Sequence, residues 1–246
     1  MKYMKWFVSS FLCLFCSLAV SGQAIANMEE AVGMLEKTNK TYDSGRVSFL
    51  INYTYANEQQ PAVLLDSLSG EVIISGRNYF SRMRNTTFLM NKQYSVAVFN
   101  DDKLIHVSKP VNRDSIGVTP MQMVSAAIRQ AGIKSCSISS KGDTARIRFT
   151  FSDATYKYME IQLDTRNWRI HQLQFVVESE AAPGGGESYN TNTGYALVKA
   201  SFHHYNNKEI DPAVFDERQF FSRTATSLIP ATAYQDYEVF IASPNL

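Results

Sequence analysis

Cysteine is scarce in this chain. Of the three cysteines in 246 residues, Cys13 and Cys16 lie in an N-terminal apolar run and Cys136 stands alone. Without that run no internal disulfide can form, and no Cys/His cluster has metal-ligand spacing. Stability must therefore come from burial. Neither sign of charge dominates: 24 basic against 23 acidic residues leave a net charge of +1, which points away from nucleic acid and from anionic membrane surfaces. Membrane-length apolar runs are missing too, because Phe7–Val20 is broken by serines and is shorter than the roughly 20 residues of a bilayer span.

Catalytic signatures are equally lacking. There is no Gly-x-Ser-x-Gly elbow, no His-Glu-x-x-His and no cysteine beside an acid–base group. Pro183-Gly184-Gly185-Gly186 is followed by neither the Lys-Ser/Thr nor the helix of a phosphate loop, and reads as a flexible loop over Glu180–Gly194. His106 and His171 occupy ordinary strand positions. His203 and His204 are adjacent on a strand and so should point to opposite faces, which argues against a shared metal. The expectation is no catalytic residue, no metal and no cofactor. Carboxylate pairs remote in sequence leave a hydrolase as a third reading behind the two given below.

What is present begins with an export signal. Met1–Ala26 has Lys2 and Lys5, then the apolar run, then small residues ending at Ala26, the layout of a cleaved signal peptide with cleavage after Ala26 or after Gly22. The expected location is the periplasm. Residues 27–246, about 220 residues, then suit one domain with a large β core.

The centre of that domain is Val47–Pro110, whose apolar residues recur at a period of two between polar loops at Asn57–Gln60, Asn91–Gln93 and Asn100–Asp102. This is an antiparallel meander with one apolar face. On its first run Val47, Phe49, Ile51, Tyr53 and Tyr55 share a face, and something must cover it. Two amphipathic helices are available. Asn27–Tyr42 carries Met28, Ala31, Val32, Leu35 and Tyr42 at helical spacing, with Asn27 as its cap. Thr119–Ala131 opens with Thr119-Pro120 and stops before Gly132, with Met121, Val124, Ala127, Ile128 and Ala131 in one stripe. This second helix reads as a core helix or as a lid. From Lys134 the period returns to two, through a turn at Asp164–Asn167, a strand at Trp168–Glu178 and another at Tyr195–Tyr205. The tail from Leu228 is expected along an edge or the bottom of the sheet. Arg82 and Arg84, on one strand face with Phe80, could meet an acidic partner or a lipid headgroup, or simply keep the face soluble.

Helix, meander, helix and second meander resemble the LolA-like periplasmic lipoprotein carriers. The nearest local matches are Gly70-Glu71-Val72-Ile73-Ile74-Ser75-Gly76-Arg77-Asn78-Tyr79-Phe80, Trp168-Arg169-Ile170-His171-Gln172-Leu173 and the closing Ile210-Asp211-Pro212-Ala213-Val214-Phe215. The resemblance implies an α+β fold: a strongly curved antiparallel sheet forming an incomplete β-barrel, with amphipathic helices over its concave face. It implies a carrier that holds lipoprotein acyl chains or another lipid beneath a helix lid. The residues expected at that cavity are Phe49, Ile51, Tyr53, Val72, Ile74, Val96, Val98, Met121, Val124 and Ile128. Arg77 is the candidate for an arginine that holds the lid; without the resemblance it is a solvated arginine at a strand end. The chain is expected to be a monomer. The alternative function is an envelope sensor or assembly factor that uses the same fold to bind an envelope protein.

Overall fold

A computed structural model describes residues 25–43, 45–110, 124, 132–181, 194–224, 227–243 and 246. The first element is helix α1 (Met28–Asp43), which has Glu29 and Glu30 in its first turn and Lys40 in its last, both favourable to the helix dipole. Asn27 does not cap it through its side chain. It adopts a positive φ of 61°, and its amide donates to the Cys136 carbonyl at 3.4 Å, tying the helix start to a strand.

The meander forms as the period-two pattern requires: β1 (Arg46–Asn57), β2 (Gln60–Ser75), β3 (Asn78–Met83), β4 (Thr86–Met90), β5 (Ser95–Phe99) and β6 (Leu104–Ser108). Three of its five loops fall at the expected places, and two further tight turns lie at residues 76–77 and 84–85. The second meander comprises β7 (Ile133–Lys141), β8 (Thr144–Phe151), β9 (Tyr156–Asp164), β10 (Arg169–Glu178) and β11 (Tyr195–Asn206). Short strands β12 (Phe221–Arg223), β13 (Leu228–Pro230) and β14 (Glu238–Ile241) follow. The two meanders are halves of one 12-stranded sheet in the order β14-β6-β5-β4-β3-β2-β1-β11-β10-β9-β8-β7. They join where β1 pairs antiparallel with β11, Ile51 opposite Phe202. The curved sheet does not close, so β14 and β7 remain its edges, and the architecture is an α+β incomplete barrel.

The apolar residues divide between the two faces of this sheet. On the face that carries α1, here the inner face, Val47, Phe49 and Ile51 continue through Val72 and Ile74, Tyr79 and Met90 on one side. On the other side they continue through Phe202, Leu173, Ile161 and Ile147, with Ala31, Leu35 and Tyr42 of α1 packed among them. The outer face over β3–β6 has its own core. Phe80, Leu89, Val96, Val98, Ile105 and Val107 are buried there beneath Phe215, Phe220 and Phe221. The tail thus does two things: it covers the outer face of the first meander, and through β14 it extends the edge by pairing in parallel with β6. Over β8–β10 the outer face is polar, with Arg146 paired to Glu160 at 3.1 Å and Arg148 over the Tyr158 ring.

One glycine lets the sheet twist where β2 outruns β3. A Cβ on Gly70 would lie 2.3 Å from the Arg82 carbonyl oxygen and 2.7 Å from Met83 Cγ. Only a residue without a side chain allows β3 to cross so closely. Among the described residues no helix is long and apolar enough to cross a membrane.

Candidate ligand-binding site

The candidate site is the inner face, and its geometry follows from register. Side chains alternate strictly, so the row through Ile74 passes to Tyr79, Met90, Ser95 and Ser108, and the row through Val72 passes to Ser81, Phe88, Ala97 and His106. Phe240 follows His106 on β14, with the two rings stacked at 5.3 Å. Phe49, Ile51, Val72 and Ile74 are buried on this face as expected, and Tyr53 is half-buried beside them. Burial pushes the Tyr53 phenol up, with the Tyr79 and Tyr55 phenols adding to the shift.

Two expected residues lie elsewhere. Val96 and Val98 belong to the row of Leu89, Ile105 and Val107, buried on the outer face under the tail. The loop between β4 and β5 sets Met90 opposite Ser95, which turns Val96 and Val98 away from the inner face and brings Ser95 and Ala97 onto it. Of the second helix only Val124 is described: it is helical and fully buried against the inner core. Met121 and Ile128 lie outside the described residues, as does nearly all of the expected signal segment and the glycine-rich loop.

Arg77 is the residue expected to hold the lid, and the second helix apart from Val124 lies outside the described residues. Arg77 is exposed in the turn between β2 and β3, a place fixed by the positive φ of 58° at Gly76. Helix α1 is fastened by two tyrosines. Tyr42 at the end of α1 and Tyr205 on β11 bring their hydroxyls to 2.5 Å. Tyr205 donates to the Ile170 carbonyl at 2.7 Å, and the Ile170 amide donates to the Tyr42 hydroxyl at 3.3 Å. Ile170 needs these partners because the β10–β11 pairing begins only at Gln172, and a buried backbone group left unpaired is costly. Burial pushes both phenols up, and Tyr42 raises Tyr205 further. Nothing in the sequence marks this pair except two tyrosines at element ends. Together with the Asn27–Cys136 bond it lays α1 across β7 to β10, and Lys37 sits over the Trp168 ring at 4.6 Å.

The inner face beyond α1 is less covered. Phe88, Ala97, Leu104 and His106 are half-buried, and Phe99 and Phe240 are 36% and 52% exposed. A pocket of about 660 Å³ on the opposite face, lined by Tyr94, Phe221, Lys109, Arg218 and Arg223, is separated from this trough by the sheet.

Other candidate groups are placed apart from it. Arg82 reaches Glu71 at 3.8 Å and lies over Phe80 on the outer face. Arg84 sits in the β3–β4 turn and donates to Asp66 and to the Ser67 carbonyl. His203 and His204 do not point apart as a regular strand would require. An extra β11 residue between His203 and Asn206, opposite Ser48–Leu50, and a φ of 53° at His204 bring the rings to 5.0 Å. Among the described residues no group of three metal-ligating side chains occurs.

No protein-family model and no curated protein matches the chain. Among solved structures it is similar to an uncharacterized conserved protein from Thermus thermophilus, at 9% identity over 86% of this chain and 99% of that one, with a TM-score of 0.48. It is also similar to a LolA superfamily protein from Nitrosomonas europaea, at 12% identity over 76% and 97% of the two chains, TM-score 0.32. A third is the lipoprotein LppX from Mycobacterium tuberculosis, at 10% identity over 73% and 98%, TM-score 0.35. At these identities no residue role carries over from them to this chain.

Proposed function

We propose that this protein is a non-enzymatic carrier of the cell envelope that holds an apolar ligand, in particular the acyl chains of a lipid or lipoprotein, on the inner face of the sheet. The observation that supports this reading is that, among the described residues, the cover is smaller than the surface. The inner face runs across 12 strands, roughly 50 Å along its curve at the usual strand spacing. Helix α1 has 16 residues and makes a rod about 24 Å long and ~10 Å wide. It covers β7 to β10, while the apolar row Phe88, Ala97, Phe99, Leu104 and Phe240 stays partly open. Phe49, Ile51, Tyr53, Val72, Ile74 and Val124 form the floor and cover that continue from this opening. Apolar surface of this extent is retained at a cost in solubility, and an acyl chain laid on it gains about 0.8 kcal/mol per buried methylene.

Native mass spectrometry of the mature protein, purified gently from its own envelope, tests the proposal. An adduct that yields an acylated species on lipid extraction is expected. Bare protein that also fails to take up an added fluorescent acyl ligand would move the assignment to an envelope sensor or assembly factor. The exposed Val63, Leu64 and Leu65 at the β1–β2 tip would then be the first surface to mutate.

A further inference from the structure

The inner-face row on β5 runs from Ser95 through Ala97 to Phe99, from 4% exposed at Ser95 to 36% at Phe99. Ala97, the smallest of the three, lies between Phe88 on β4 and His106 on β6, so the row forms the floor of a furrow along the strand. At its deep end the Ser95 hydroxyl is buried and has no hydrogen-bond partner. Its inner-face neighbours across the strands are Met90, which has no donor, and Ser108, which does not bond to it. A buried hydroxyl without a partner is rare and costly in a folded chain. It is explained if a ligand supplies the partner. The loop beside it carries the exposed Lys92.

We propose that Ser95 is the polar anchor of the site, donating to the carbonyl oxygen of an acyl ester or amide whose hydrocarbon lies along Ala97, Phe88 and Phe99 and whose headgroup leaves beside Lys92. The proposal rests on the carrier reading above and deepens it by assigning the residue that holds the acyl carbonyl. It predicts discrimination between two lipids that differ only at the carbonyl: 1-O-palmitoyl glycerol, an ester, and 1-O-hexadecyl glycerol, the matching ether.

The experiment measures the affinity of the full mature chain and of Ser95→Ala for each lipid, by displacement of a fluorescent fatty acid. Wild type is expected to favour the ester about five-fold, the worth of one hydrogen bond. Ser95→Ala is expected to abolish that preference while leaving ether binding unchanged. In the ligand-free protein Ser95→Ala should melt no lower than wild type, because a hydroxyl without a partner contributes nothing to the fold. Equal affinity of wild type for the two lipids, or a preference that survives in Ser95→Ala, overturns the proposal and leaves the carrier reading standing. A fall in melting temperature of several degrees overturns it as well, since the hydroxyl would then be engaged within the protein. Failure of wild type to bind either lipid overturns the carrier reading itself.

Discussion

Replacing Tyr205 by phenylalanine removes one oxygen atom from the place where α1 is fixed to the sheet. The substitution keeps the ring contacts with Phe49 and Tyr42 and the shape of the core. It deletes the 2.7 Å bond to the Ile170 carbonyl and the 2.5 Å contact with the Tyr42 hydroxyl. Ile170 is fully buried and lies before the β10–β11 pairing begins at Gln172, so no ladder partner on that side stands by to replace the lost donor. Leaving a buried carbonyl unpaired costs about 1–3 kcal/mol. For a chain of this size about 2 kcal/mol lowers the melting temperature by about 4–8 °C. Tyr42→Phe should cost a similar amount by orphaning the Ile170 amide. The double variant should cost less than the sum, because the two substitutions share one bond. The assays are denaturant unfolding of all four proteins and hydrogen exchange at the Ile170 amide, whose protection should fall in both single variants. Under the carrier reading a loosened α1 also opens more readily, and about 2 kcal/mol of latch energy corresponds to an apparent gain in acyl affinity of up to ~30-fold. Wild-type stability together with wild-type protection at Ile170 in Tyr205→Phe would refute the latch.

Further outcomes follow from other parts of the sheet. Ala97→Glu places a charge in the inner furrow and should leave a folded protein that no longer takes up acyl ligand. Val98→Ala, one residue away on the outer face, should cost about 2 kcal/mol of stability and leave uptake intact; the opposite pattern would reverse the assignment of faces. Gly70→Ala should destabilise the sheet by about 2 kcal/mol, because the new methyl meets backbone at 2.3 Å, and an unchanged melting temperature would mean that β2 and β3 can part there at no cost. Asp164 is buried in the β9–β10 turn, where hydrogen bonds from Arg166 and Asn167 and the nearby His171 hold its carboxylate. The Arg166 bonds, as the largest cause, lower its pKa. Its stabilisation is therefore complete above the ordinary carboxylate value of about 3.9 and is lost as the pH falls through the lowered value. Asp164→Asn should melt below wild type at neutral pH, with the gap closing in strong acid; a gap independent of pH would show that the charge is not what matters.

The strands of both meanders, their turns and α1 were legible in the sequence, because period two and period 3.6 are properties of the local chain. The identity of the inner face was legible on β1 and β2, where Val47 to Tyr55 alternate with polar residues. It was not legible on β5. Strands β3–β6 carry apolar residues on both faces, the outer set buried under the tail and the inner set in the partly open row, so their apolar residues no longer mark one side. The number of residues in the loop before β5 then decides which of Val96 and Ala97 faces inward, and one residue more or less would exchange them. The same holds for the fastening of α1. The partners of Ile170 that hold α1 come from residues 128 and 35 positions away along the chain. What the sequence determined alone was therefore the local pattern, an alternating sheet in need of cover. Which residues meet beneath that cover was decided by register and by the tail, which are set only when distant strands pair.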